Sequence, residues 1–345
     1  MLGAMRAWLL DHPGPPGSLR LGEVDSPWRS PVAGRREIEV LVKVEAVGLN
    51  PVDYRTGATG HPAWHYPHIL GLDIAGRVVA IHAEEAARRE QAWMLPAPGT
   101  RVVLHQDLRE QGGFADLVAV PPDVLAPIPP SIDPIAAASL PTAGLTALDA
   151  VERRLRQISG HVVLVQGASG GVGSFAVQLA KLFGAKVIAS ARPENADMVR
   201  ALGALHVVDY RAPDFAEQVR SIAPAGVDAV IDTISAGSAT ASLSLLRHAG
   251  HLVAVAGRPD LSQVPEFGLA PTVSEVALGA AYTHGGFEGR RWLTWGLERL
   301  MRLIEEGHLQ PPDIEVIPFE DIPDGLERIA RREVDGKVVA NFRWR

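Results

Sequence analysis

The chain has 345 residues, 47% hydrophobic and 21% charged, which is enough for two domains that each bury a core. Its net charge of -7, with no basic cluster, argues against nucleic acid or an anionic membrane as a partner. Cysteine is absent, which removes disulfides, thiolate nucleophiles, iron-sulfur clusters and cysteine-ligated zinc in one step.

The opening MLGAMRAWLLDHPG reaches Asp11 and Pro13 before a signal core can form, and no apolar run is as long as a membrane span. A cytoplasmic protein is expected. Up to residue 130 the texture is short apolar runs between turn signals, predicting strands over 5–10, 37–46, 74–81, 101–104 and 114–120. The stretch AEEAARREQA at 83–92 reads as a charged helical insertion on the surface. The proline-rich segment PPDVLAPIPPSIDP at 121–134 then marks a boundary, with alternating strand and helix signals beyond it. Residues 1–131 and 286–345 are therefore expected to form one β-rich domain and residues 132–285 a second, α/β domain.

Within 132–285, strands are predicted over 162–165, 186–189, 206–208, 229–232 and 251–256, spaced for a parallel sheet with right-handed crossovers. The first is followed by Gly167, Gly170, Gly171 and Gly173, then by helical spacing at Phe175, Val177, Leu179 and Leu182. Glycine lets backbone approach a pyrophosphate closely, and a helix that starts there aims its positive end at the anion. The turn departs by one residue from the commoner G-x-G-x-x-G spacing, but strand before and helix after support a dinucleotide site. The same letters fit the G-x-S-x-G elbow of hydrolases, with Ser169 as nucleophile and Asp232 with His248, His251 or His284 as partners. An elbow has no need of Gly171 and Gly173.

The second strand ends Ala189-Ser190-Ala191-Arg192, where the dinucleotide fold commonly carries an acid for the ribose hydroxyls. With Ser190 and Arg192 there instead, a 2'-phosphate is welcome, so NADPH is favoured over NADH. Tyr210 follows the third strand and is a candidate neighbour of the adenosine half. Further on, a strand is predicted over 275–282, suited to an edge paired across a homodimer. A long amphipathic helix runs from residue 290, and a closing strand over 337–342 is expected to return to the first domain.

These pieces, with GLNPVDY at 48–54, ILGLDIAGRVV at 69–79, GGFADLVAV at 112–120, LPTAGLTA at 140–147, LGALHVVDY at 202–210 and GKVVANF at 336–342, resemble the medium-chain dehydrogenase/reductase superfamily over essentially the whole chain. Specifically, they are similar to its zinc-free quinone oxidoreductase (zeta-crystallin-like) branch. The resemblance implies an α/β fold: a Rossmann doubly wound parallel sheet plus a β-rich GroES-like catalytic domain, with the active site in the cleft between them. In the zinc alcohol dehydrogenases of that superfamily a cysteine stands near the position of Asn50, and a Gly-His-Glu triplet stands where this chain has Gly71-Leu72-Asp73. His61, His65 and His68 offer an alternative ligand set, although Pro62 and Pro67 prevent one helix from presenting them together.

Without a Lewis acid the acceptor must spread its own charge, which favours a quinone or an α,β-unsaturated carbonyl as the substrate of an NADPH-dependent reductase. The resemblance implies Asn50 and Tyr54 beside the nicotinamide, where either could polarise the acceptor or donate a proton. Tyr66, His65 or a water are the other proton sources. It also places Thr146 on the nicotinamide, Gly170, Gly171, Val172 and Gly173 on the pyrophosphate, and Ser190, Arg192 and Tyr210 at the phosphoadenosine end. Gly257 falls beside the nicotinamide ribose. Lys337 resembles a cofactor-contacting lysine, though a lysine before a closing strand is also a common solvent-exposed terminator. Two other readings use the same architecture: an enoyl-thioester reductase, and a protein that holds NADPH without turnover.

Overall fold

The computed structural model describes residues 3–28, 37–85 and 92–342, and the chain divides into two compact units. One comprises Met1–Thr142, Gly279–Glu306 and Asp313–Arg345; the other comprises Ala143–Leu278 and Gly307–Pro312.

In the first unit the strands Ile314–Pro318, Lys337–Asn341, Ile38–Gly48, Asp73–Ala83, Arg101–His105 and Ala126–Pro127 lie side by side in that order. Leu117–Val120 pairs with Ile38–Gly48, and Ala4–Leu9 pairs with Arg20–Asp25 as a separate ribbon. Val40, Val42 and Val44 of Ile38–Gly48 are buried, as are Ile74, Val102, Leu104 and Val118 elsewhere in the sheet, and Val42 stands opposite Val118. Lys337–Asn341 runs antiparallel to Ile38–Gly48, so the end of the described chain closes the sheet begun near its start. Arg20–Asp25 and Ile314–Pro318 are additions to the strands expected from sequence; both are short and half exposed, and leave little hydrophobic pattern. Most of the expected insertion at 83–92 lies outside the described residues.

The second unit holds six parallel strands in the order His206–Val208, Lys186–Ser190, Val162–Gln166, Val227–Asp232, Leu246–Ala254 and Thr272–Glu275. Counted along the chain this is 3-2-1-4-5-6, the doubly wound arrangement whose order reverses between Val162–Gln166 and Val227–Asp232. Leu164, Ile188, Val208, Val230 and Leu252 form a continuous core across these strands. The strand predicted over 275–282 is corrected. The strand is Thr272–Glu275, Val276 gives the last ladder bond to Ala254, and Ala280–Thr283 is helical. A short apolar run fits a strand or a buried helical turn equally, and here the apolar letters bury Tyr282 in the first unit, under His105.

Candidate active site

In the second unit, the strand Val162–Gln166 ends at the point where strand order reverses, and ligands of such sheets bind outside the carboxyl ends of strands there. The helix Gly171–Leu182 follows immediately, with Gly170 as an N-cap that offers no side chain. The N–H groups of Gly171, Val172 and Gly173 are the first of the helix and have no acceptor one turn back. Gly173 is backed against the turn so tightly that a Cβ would fall on the Gly167 carbonyl and within 2.8 Å of Ala168 Cα. Three donors, a bare cap and a turn that admits no side chain at Gly173 suit a diphosphate.

Ser190 is buried and its Oγ accepts from Gly167 N at 3.1 Å, so it braces the turn from the neighbouring strand. Arg192, just beyond, pairs with Glu194 at 3.4 Å, and Tyr210 is half exposed with the Arg211 guanidinium 5.6 Å from its ring centre. Gly257 packs its backbone against Ala236, and Thr146 is buried on the helix Pro141–Leu148. Two parts of the hydrolase alternative are already engaged: Asp232 takes Ile234 N, Ser235 N and the Ser238 hydroxyl, and His251 pairs with Ser274.

In the first unit, sheet register brings a polar row together. Gly48 stands opposite Asp73, Asp73 opposite His105, and Val339 opposite Gly48, which sets Lys337 near Asp73. The Lys337 ammonium, 4% exposed, donates to Asn50 Oδ1 and, at 2.7 Å, to Asp73 Oδ2. The solvent-exposed terminator reading of Lys337 is thereby replaced by a buried one. Asp73 Oδ1 takes the Thr142 N–H at 2.8 Å and the Thr142 hydroxyl at 2.5 Å. Asn50 opens the helix Pro51–Thr59, and Asp53 reaches back from its first turn to accept Asn50 N at 2.8 Å. Tyr54 follows on that turn, partly exposed, with the Arg55 guanidinium 5.9 Å from its ring centre.

This network was not legible in advance, because its partners lie 264 and 287 residues apart in sequence. Burial, reinforced by the Asp73 carboxylate, pushes Asp53 up to about 7, against the pull of Asn50 N–H and the Lys337 ammonium. Burial pulls His105 down, and its Nδ1 has no hydrogen-bond partner among the described residues.

His61, His65 and His68 do not converge. His61 Nδ1 accepts from Ala63 N, His65 is exposed, and His68 lies flat against Trp64 with ring centres 4.1 Å apart. Burial draws His68 down to about 4. Among the described residues no three His, Cys, Asp or Glu side chains are grouped to hold a metal ion. Tyr66 is partly exposed on the same aromatic cluster.

A raised carboxylate and lowered histidines tilt stability in opposite directions with pH. Asp53 favours the folded state while protonated, so its contribution is lost as pH rises from about 4 to about 7; His68 favours it while neutral, so its contribution is lost as pH falls from 6.5 toward 4. Asp53→Asn is expected to gain stability over the natural protein progressively between pH 5 and pH 8, by up to a few kcal/mol. Calorimetric melts across that range would show a parallel offset instead if Asp53 is already ionised at pH 5.

No helix of the described residues is long and apolar enough to cross a membrane. Residues 36–130 match the alcohol dehydrogenase GroES-like domain, and residues 171–283 match the zinc-binding dehydrogenase family. The chain is 28% identical over 334 residues to the NAD(P)H oxidoreductase RTN4IP1, mitochondrial, of Bos taurus, covering 88% of this chain and 81% of that one. It is 37% identical over 230 residues to the trans-enoyl reductase tndF of Aspergillus flavipes, covering 63% and 62%. Its fold superposes on the quinone oxidoreductase of Coxiella burnetii with a TM-score of 0.82 and 26% identity, over 99% of this chain and 100% of that one.

Proposed function

Since the chain belongs to the medium-chain dehydrogenase/reductase superfamily, in its zinc-free quinone oxidoreductase-like branch, we propose that it is a zinc-independent, NADPH-dependent reductase of quinones or α,β-unsaturated carbonyls. The observation that carries this reading is the Asn50–Lys337–Asp73 tie. Where zinc relatives place metal ligands, this chain has a carboxamide and a carboxylate already satisfied by a buried ammonium, and the buried Leu72, which has no ligand atom, stands in the middle of Gly71-Leu72-Asp73. A bound dihydronicotinamide supplies a hydride. The chain's own residues hold the coenzyme and stabilise the negative charge that grows on the acceptor oxygen.

The orphan amides of Gly171, Val172 and Gly173 would take the diphosphate, and Arg192 the 2'-phosphate. Thr146 and Gly257 would line the nicotinamide end, and Tyr210 the adenosine. Asn50 and Tyr54 are the donors for the acceptor carbonyl, because both sit at the start of the helix Pro51–Thr59. Hydride at the β-carbon of an enone sends an electron pair to oxygen, and one proton completes the product. A quinone takes the same hydride and proton and becomes a hydroquinone. Before the proton arrives, the enolate and the hydroquinone anion each spread the charge over several atoms, as a site with hydrogen-bond donors and no metal requires.

A spectrophotometric screen of NADPH oxidation against quinones and enones, with a chelator present throughout, tests the reading. Turnover with at least one class is expected, and Tyr54→Phe should lower kcat about tenfold if its hydroxyl gives the proton. Coenzyme binding with no oxidation by any acceptor would leave a non-catalytic NADPH-binding protein. The 37% identity to a trans-enoyl reductase favours one second reading, an enoyl-thioester reductase, which crotonyl-thioester compared with a quinone would resolve. A cytoplasmic homodimer belongs to the same proposal. The terminal strand Thr272–Glu275, one edge of which pairs with no strand among the described residues, supports the dimer.

A further inference from the structure

Lys337 is one of only four lysines in the chain, and burying an ammonium is a poor way to gain stability, since desolvation offsets the attraction of its partner. Its consequence lies in what it orients. A carboxamide can be turned over, exchanging oxygen for nitrogen, and only its hydrogen-bond partners decide which face prevails. An ammonium has donors alone, so the group of Asn50 that meets Lys337 must be the oxygen. That leaves Nδ2 on the other side, where among the described residues it donates to the Gly48 carbonyl at a long 3.3 Å.

The surroundings hold this orientation from every direction. Asp73 divides its oxygens between Thr142 and Lys337, so it cannot swing away without breaking three hydrogen bonds. Asp53 fixes the Asn50 main chain through its N–H. Gly48 leaves the room: a Cβ there would lie 3.0 Å from Lys337 Cε and 3.1 Å from Asp73 Cβ, and would strike the Ala138 carbonyl. We propose that Lys337 is a positioning residue, which with Asp73 locks the Asn50 carboxamide so that Nδ2 is presented as the hydrogen-bond donor to the acceptor's carbonyl oxygen. This rests on the reductase reading above and assigns the donor within it. Lys337 would then act on turnover through Asn50 and not by touching the coenzyme.

The test compares the natural protein with Lys337→Met and with the Lys337→Met/Asp73→Asn pair, which removes both buried charges together. Three quantities are measured: NADPH affinity by calorimetry, kcat with the best quinone or enone, and the side-chain amide signals of protein labelled with 15N-asparagine. The chain has three asparagines, Asn50, Asn195 and Asn341, so each amide pair can be assigned by substitution. Lys337→Met is expected to lower kcat at least tenfold, to leave the NADPH Kd within twofold, and to move the Asn50 amide pair alone. The double variant is expected to melt close to the natural protein while kcat stays low.

Affinity for NADPH that weakens as much as kcat falls would make Lys337 a direct coenzyme ligand and overturn the proposal. Recovery of kcat together with melting temperature in the double variant would reduce the pair to a structural role, and an unmoved Asn50 amide would mean there is no tether. If none of the acceptors tested makes the natural protein oxidise NADPH, the reductase reading and the donor role of Asn50 fall together, while the amide signals still decide whether the tether exists.

Discussion

Gly173→Ala is expected to abolish measurable binding of nicotinamide coenzymes, weakening it by at least ~100-fold, which corresponds to about 3 kcal/mol. The added methyl cannot be absorbed by a flexible neighbour, because the atoms it meets are the Gly167 carbonyl oxygen and Ala168 Cα, both backbone. Relief requires the turn to open away from the helix, and the three orphan amides of Gly171–Gly173 then no longer converge on one anion. Core geometry changes of this kind cost on the order of 1–3 kcal/mol in stability, so the second unit should still fold. Circular dichroism together with calorimetric titration checks both halves. A folded variant that binds NADPH with unchanged affinity would show that the diphosphate is held elsewhere.

The second large effect is selective. Replacing Arg192 by alanine should weaken NADPH about 30- to 100-fold and NADH by less than about threefold, since a charge-assisted contact to a phosphate is worth roughly 1.5–3 kcal/mol. Arg192 now faces Glu194 at 3.4 Å, with Glu194 56% exposed. Such a surface pair contributes between about 0 and 1 kcal/mol, so a doubly charged phosphate can displace the carboxylate. Ser190 cannot substitute fully: it is buried and already engaged with Gly167 N. Calorimetric titrations with both coenzymes measure the ratio directly, and equal losses for the two would remove Arg192 from coenzyme discrimination.

What could be read in advance follows the range of each interaction. The turn from Val162 to Leu182 was legible because strand, glycines and helix are consecutive, and local backbone rules dictate them. The five strands expected between 162 and 256 are all present, since parallel strands covered on both faces read as unbroken apolar runs. Apolarity alone could not distinguish strand from helix at 275–282, where the chain stops pairing at Val276 and turns to bury Tyr282. Half-exposed strands such as Arg20–Asp25 left no clear alternation. The Lys337 network was hidden for a different reason. Its residue types are ordinary singly, and only sheet register joins a lysine near the end of the chain to an asparagine near the start.

That register has a consequence for how the protein is made. Lys337–Asn341 slots between Ile314–Pro318 and Ile38–Gly48, so the first unit cannot finish its sheet until residue 341 has been synthesised. The six parallel strands, which lie wholly within Ala143–Leu278, are synthesised while the first unit still waits for Lys337–Asn341 and for the cation that neutralises Asp73. Until Lys337–Asn341 is made, the edge of Ile38–Gly48 that it covers and the Asp73 carboxylate that it matches both lack that partner.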